Sequence, residues 1–167
     1  MSQPVPTQSE VNEYIIQHLR SIGLPPISEI TPRIYLGSFE AATDSELLHK
    51  LGITHIINCA KDATYDSGDV AQIRLELDDV PQENLFRVLE PSRMVMRRIL
   101  TTDSDYKILV HCMAGISRSA SVVIYYLMKL KGWTYDETFA EVAKKRSVIN
   151  PNEGFVATLR ATQQGGK

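Results

Sequence analysis

The sequence predicts an α/β protein of three layers, with a central, mostly parallel sheet flanked by helices, and three observations predict it. Segments of strand length recur at residues 53–59, apolar and β-branched, at 71–77, alternating, and at 107–110, a short buried run. Longer stretches with helical spacing separate them, and this strand-helix alternation is the order that gives parallel pairing. Residues 117–131 are apolar nearly all round, which marks a helix buried on several sides.

Taken in order, residues 1–8 are polar with two prolines and are expected to be disordered. Residues 9–26 read as an N-terminal helical extension. Ser9 is the expected N-cap, Val11, Tyr14, Ile15, Leu19 and Ile22 share one face, and Gly23 with Pro25 and Pro26 ends it. This amphipathic helix either packs on its own domain or offers a surface for a homodimer or another partner.

The main domain spans 27–163. Residues 27–30 and 33–36 read as short strands joined at Thr31 and Pro32, and helical spacing returns over 39–51 with Asp44 as an internal cap and Gly52 as a stop. Residues 61–69 are a polar loop, and 78–81 is the loop that leaves the strand 71–77. A helix spans 85–100, where Pro91 either kinks it or starts a second one. Gly132 stops the long helix, Thr134 and Glu137 form a capping box for the next, and 151–163 reads as a final helix before a short polar tail, 164–167.

Composition narrows the function. The chain has 167 residues, 43% hydrophobic, enough for one domain with a substantial core. A formal charge of −2 gives no basic field for nucleic acid or an anionic membrane, so any attraction for phosphate must be local. Two cysteines do not make a disulfide framework, and neither a signal peptide nor a membrane-spanning run is present. A reducing compartment is expected, the cytoplasm and also the nucleus.

The chemistry is concentrated in residues 111–119, HCMAGISRS, between the strand at 107–110 and the long helix. A strand, a tight turn and a helix N-terminus in succession aim backbone N–H groups and the positive end of a helix dipole into one bowl, an anion site. Cys112 at its base is expected to be a thiolate, because cysteines so placed titrate at ~3.5–7.5 rather than ~8.5. Arg118 carries the planar fork that grips two oxygens of a tetrahedral oxyanion, with Met113, Ala114, Gly115, Ile116 and Ser117 wrapping the anion between them. Gly115 suits a turn of positive φ or close approach. Ser119 is placed to donate a hydrogen bond to the sulfur as it leaves.

These residues match the Cys-x5-Arg signature of the protein tyrosine phosphatase superfamily, and the loop resembles its dual-specificity branch in particular. The resemblance runs from about Tyr35 to Leu159 and includes Tyr35-Leu36-Gly37, Thr54-His55-Ile56-Ile57-Asn58 and Pro151-Asn152-Glu153-Gly154-Phe155. It implies a protein tyrosine phosphatase-like fold and a cysteine nucleophile, Cys112, that needs no metal or cofactor. It also implies a general acid from the loop about thirty residues upstream, where alignment with Leu85 selects Asp79 and leaves Asp78 as the alternative. By the same resemblance His111 orients the loop, and Cys59 is either a buried core thiol or a redox partner that closes a reversible disulfide with Cys112.

The resemblance implies a phosphorylated protein as substrate and leaves no room for a separate kinase-docking domain. Without the aromatic recognition loop of the longer tyrosine-specific enzymes, a shallow pocket would admit phosphoserine and phosphothreonine besides phosphotyrosine. The uncharged Met113, Ala114 and Ile116 count against a phosphoinositide. A phosphopeptide-binding module is the remaining alternative, although such proteins usually lose the nucleophile.

Overall fold

The computed structural model describes residues 2–163; Met1 and the expected tail at 164–167 lie outside the described residues. Five strands, β1 (Ile27–Thr31), β2 (Ile34–Gly37), β3 (His55–Ala60), β4 (Ala71–Leu77) and β5 (Ile108–His111), form one sheet in the order β1-β2-β5-β3-β4. Only β1 and β2 pair antiparallel; the other pairs are parallel, as the alternation predicts. The helices are α1 (Gln8–Ser21), α2 (Phe39–Ala42), α3 (Ser45–Leu51), α4 (Phe86–Thr102), α5 (Arg118–Lys131), α6 (Tyr135–Lys145) and α7 (Glu153–Ala161).

β5 is the middle strand, and every one of its residues is buried. Its alternation divides the protein into layers. Ile108 and Val110 join the large core beneath α4, α5, α6 and α7, whereas Leu109 joins a smaller one with Tyr35, Leu48, Ile53 and Ile56 on the side of α2 and α3. All residues of α5 from Arg118 to Met128 are buried, so the helix runs through the middle of the larger layer. Strand and helix therefore fix the two ends of the loop between them.

Two expectations are corrected, both in the first helix. The first helix begins at Gln8, capped by Thr7 rather than Ser9: the Thr7 side chain accepts from the Glu10 N–H, and the Glu10 carboxylate accepts from the Thr7 N–H at 2.7 Å. Thr7 and Glu10 are a capping box, and two satisfied donors outweigh the single one that Ser9 offered. The helix does pack on its own domain, but on a rotated face. Ile16 is buried and Ile15 and Leu19 half-buried, while Val11, Tyr14 and Ile22 stay exposed, and a second copy would have to use that outer stripe. The internal cap expected at Asp44 divides 39–51 into two helices, with Asp44 accepting from the Leu47 N–H at 3.0 Å. At Pro91 the chain neither restarts nor stops, and α4 continues through it without that one N–H.

The start of α7 is pressed against the loop that leaves β4. A Cβ on Gly154 would lie 2.0 Å from the Pro81 carbonyl oxygen, so only glycine permits this approach. Gly154→Ala should cost about 1–3 kcal/mol of stability in urea unfolding, as overpacking does, because the obstacle is backbone.

Candidate active site

β5 ends at His111, and α5 starts at Arg118, so residues 112–117 must reverse direction within one short loop. What shapes this loop is where its carbonyl groups go. Met113 O accepts from the Phe39 N–H at 3.0 Å and Ile116 O from the Asn150 N–H at 2.8 Å. Gly115 O and Ala114 O accept from Arg146, at 2.8 and 3.2 Å. In a planar trans peptide the N–H points opposite to the C=O. With four successive carbonyls drawn outward, the N–H groups of Ala114, Gly115, Ile116 and Ser117 face the inside of the loop. That of Gly115 donates to Cys112 Sγ at 3.3 Å. Gly115 has φ +71°, and a Cβ there would meet Gly37 backbone at 2.7 Å and the Arg146 guanidinium at 2.8 Å.

Cys112 is buried at the base, with its sulfur 3.1 Å from Ser119 Oγ. Burial alone would raise its pKa. The Arg118 charge and the hydrogen bonds from Ser119 and Gly115 outweigh burial, and the thiol is held below its ordinary value. Arg118 Nη1 donates to Asp62 Oδ1 at 2.6 Å and to Leu77 O at 3.0 Å. Its Nε is buried with no hydrogen-bond partner.

His111 is fully buried behind the loop. A carbonyl can only accept, so Nδ1 carries the proton donated to Cys112 O at 3.0 Å, and Nε2 accepts from the Tyr65 hydroxyl at 2.7 Å. Burial, opposed by the bond to Cys112 O and reinforced by the Arg118 charge, lowers its pKa to about 4. The ring is therefore neutral at pH 7, with one tautomer.

Asp79 lines the same cavity as Cys112 and Arg118, a space of about 240 Å³, together with Asp62 and Ile15 of α1. Its Oδ1 accepts from Asn152 Nδ2 at 2.9 Å, which ties the 78–81 loop to the cap of α7. Asp78 instead pairs with Lys61 at 3.7 Å on the exposed surface. Cys59 is buried on β3, one residue beyond the Asn58–His111 register pair, and both cysteines are free thiols. Burial and then the neighbouring Cys112 push the Cys59 thiol well up.

Four residues in this assembly were not singled out by sequence reasoning. Asp62 and Tyr65 lie in what reads as a polar loop, and the only local signal is Asn58. Its carboxamide closes the turn into that loop by donating to Ala63 O at 2.7 Å and accepting from the Ala60 N–H at 3.0 Å. Arg146 reads as one more basic residue at the end of a helix, yet it is 2% exposed. Ile15 reads as part of a packing face.

The description "Dual specificity phosphatase, catalytic domain" matches residues 34–165. The chain is 35% identical to dual specificity phosphatase 28 of Mus musculus, over 84% of this chain and 85% of that one. It is 38% identical to serine/threonine/tyrosine-interacting protein B of Xenopus laevis, over 80% of this chain and 63% of that protein. It is 37% identical to a probable rhodanese domain-containing dual specificity protein phosphatase of Dictyostelium discoideum, over 84% of this chain but only 29% of the relative's length. The crystal structure of human DUSP28 is similar with a TM-score of 0.78 at 29% identity, covering 97% of each chain.

The buried neutral His111 makes stability depend on pH with a definite sign. The unfolded state takes up this proton near 6.5 and the folded state only near 4, so the unfolded state binds more protons in between. The contribution is complete above pH 6.5 and falls as the pH drops toward 4, by about 1 kcal/mol per pH unit. Urea unfolding followed between pH 7 and 5 should show this slope, and His111→Asn should flatten it.

Proposed function

The chain belongs to the dual specificity phosphatase family, and from that premise we propose that it is a protein phosphatase hydrolysing phosphotyrosine and phosphoserine or phosphothreonine monoesters through a phosphocysteine. One observation carries the reading: a thiol held toward thiolate shares a small cavity with a buried guanidinium whose Nε has no partner. A phosphoryl group supplies what both lack, oxygen acceptors for the fork and the loop amides, and an electrophile for the sulfur.

The Cys112 thiolate attacks phosphorus in line, forming an S–P bond as the P–O bond to the leaving group breaks. Arg118 and the inward amides of 114–117 hold the other three oxygens. Asp79 gives its proton to the leaving oxygen, a step that contributes roughly 10²–10⁴ in rate. Water then attacks phosphorus and passes its proton to Asp79, the S–P bond breaks, and the Ser119 hydroxyl donates to the departing thiolate. His111 stays neutral and orients the loop through Cys112 O. Asn152 holds the acid near the cavity.

The substrate reading rests on the cavity's walls. Met113, Ala114 and Ile116 bring no charge, and Asp62 brings a carboxylate, so the extra phosphates of a phosphoinositide would find no further cation among these residues. A phosphorylated protein segment presents one phosphate and an apolar or aliphatic stem, which Ile15 suits. The two free thiols fit a signalling role in a reducing compartment, the cytoplasm or the nucleus. A relative is named serine/threonine/tyrosine-interacting protein, and a phosphopeptide-binding module is the second reading. Cys112, Arg118 and Asp79 in one cavity favour turnover.

Cys59 serves in this scheme as a redox partner. A peroxide would convert the Cys112 thiolate to a sulfenic acid, and the Cys59 thiol would displace water from it to form a disulfide.

Phosphate release should occur with a peptide phosphorylated on threonine and tyrosine and not with a soluble phosphoinositide. It should be lost in Cys112→Ser and fall about 10²-fold or more in Asp79→Asn. Turnover confined to the phosphoinositide would overturn the substrate reading, and tight peptide binding without turnover would favour the binding module. After mild peroxide, peptide mapping should recover a Cys59–Cys112 disulfide; Cys112 sulfinic acid alone would end the redox role.

A further inference from the structure

We propose that Asp62 is a positioning residue for phosphoryl binding and transfer: its carboxylate fixes the plane of the Arg118 guanidinium so that the unpartnered Nε edge is presented to the phosphate. The inference rests on the phosphatase reading above and concerns a residue outside the Cys-x5-Arg loop and its acid.

The argument starts from the fork itself. A guanidinium is planar, and a long side chain can turn that plane freely unless something holds it. Here Nη1 is held by two acceptors from different parts of the chain, Asp62 Oδ1 at 2.6 Å and Leu77 O at 3.0 Å. Two acceptors on one nitrogen fix the orientation of the whole group. The opposite edge, formed by Nε and Nη2, is the one that grips two oxygens side by side. Its Nε is buried and makes no hydrogen bond, an arrangement that folded proteins avoid unless a ligand completes it.

Both holding groups are themselves held. The Leu77 carbonyl follows Glu76, whose φ of +55° lies in the left-handed region, where the β3–β4 register also shifts. Asp62 sits on the turn closed by Asn58, and its carbonyl accepts from Asn12 Nδ2 of α1 at 3.4 Å. The Asp62 side chain is only 28% exposed. Its charge also decides between two roles. A carboxylate beside the cavity repels a phosphate dianion, so its removal would strengthen anion binding if repulsion were all it did. If it positions Arg118, its removal weakens binding.

The test compares Asp62→Ala, which removes the acceptor, with Asp62→Asn, which keeps an oxygen in the place of Oδ1. Calorimetric binding of inorganic phosphate, kcat and KM for an aryl phosphate, and the pH dependence of Cys112 alkylation are measured on both, with melting curves as a check on folding. Asp62→Ala should bind phosphate about tenfold more weakly and lose at least about tenfold in kcat, the scale of a misplaced binding group. Asp62→Asn should recover the larger part of both. Alkylation should keep its depressed pH midpoint in Asp62→Ala, because Arg118 still faces the thiolate; a general loosening of the site would instead raise it. Tighter phosphate binding in Asp62→Ala, equal loss in the two variants, or no change in either would overturn the proposal. The calorimetric arm needs no turnover, so a protein that hydrolyses no ester but still binds phosphate through Arg118 would sink the phosphatase reading while leaving this one testable.

Discussion

Everything at the site depends on keeping four carbonyl oxygens out of it. A loop that aims its N–H groups at an anion leaves the carbonyls of Met113, Ala114, Gly115 and Ile116 pointing the other way, into protein rather than water. Each must find a donor there or leave a buried polar group unsatisfied, at about 1–3 kcal/mol apiece. The donors come from three distant places: the Phe39 N–H at the start of α2, the guanidinium of Arg146 after α6, and the Asn150 N–H before α7. The sheet order, with β2 beside β5, brings the first within reach, and the packing of α6 and α7 around α5 brings the others. The bowl is thus a property of the whole fold, although its own residues are consecutive.

Arg146 is the costliest of these donors and the most informative. It is a fully buried cation with no ion-pair partner among the described residues, fixed by Gly115 O, Ala114 O, Pro25 O and Ser28 Oγ. Burial pushes its pKa down, and the nearby Cys112 acts in the opposite direction. A buried charge is tolerated when something compensates it, and here several carbonyl dipoles and a sulfur held toward its anionic form do so. The chain carries −2 overall, so the positive potential that an oxyanion meets is made locally, by Arg118 in front of the loop and Arg146 behind it. Lysine could not replace the second, because an ammonium group with three donors cannot serve four acceptors spread over two segments.

The parts of the site that could be read in the sequence are those whose function sits in consecutive residues. Cys112, Gly115, Arg118 and Ser119 fall within eight positions, between a strand and a helix whose periodicities are both strong, so the local pattern carries the geometry. Asp62, Tyr65 and Arg146 act across the fold, and apart from Asn58, which closes the turn into the 61–65 loop, nothing local distinguishes them from solvated loop or surface residues. The same limit explains the errors in α1. Its apolar residues cover a stripe wider than one contact face, and only the shape of the domain beneath decides that Ile15, Ile16 and Leu19 turn inward while Tyr14 does not. Thr7 is a different case, since the capping box was present in the sequence and the nearer Ser9 obscured it.

The N-terminal helix is consequently more than an appendage. Ile15 forms part of the cavity wall, and Asn12 reaches the segment that carries both Asp62, which holds Arg118, and Tyr65, which holds His111. The chain that leaves the helix is pinned in turn, because Pro25 O accepts from the same Arg146 that holds the bowl. Two separate paths thus connect α1 to the anion site, one through the 61–65 loop and one through the buried guanidinium. Removing the helix would open the cavity wall, release a hydrogen bond on the Asp62 turn and free the Pro25 segment, so its contacts reach the site from both sides.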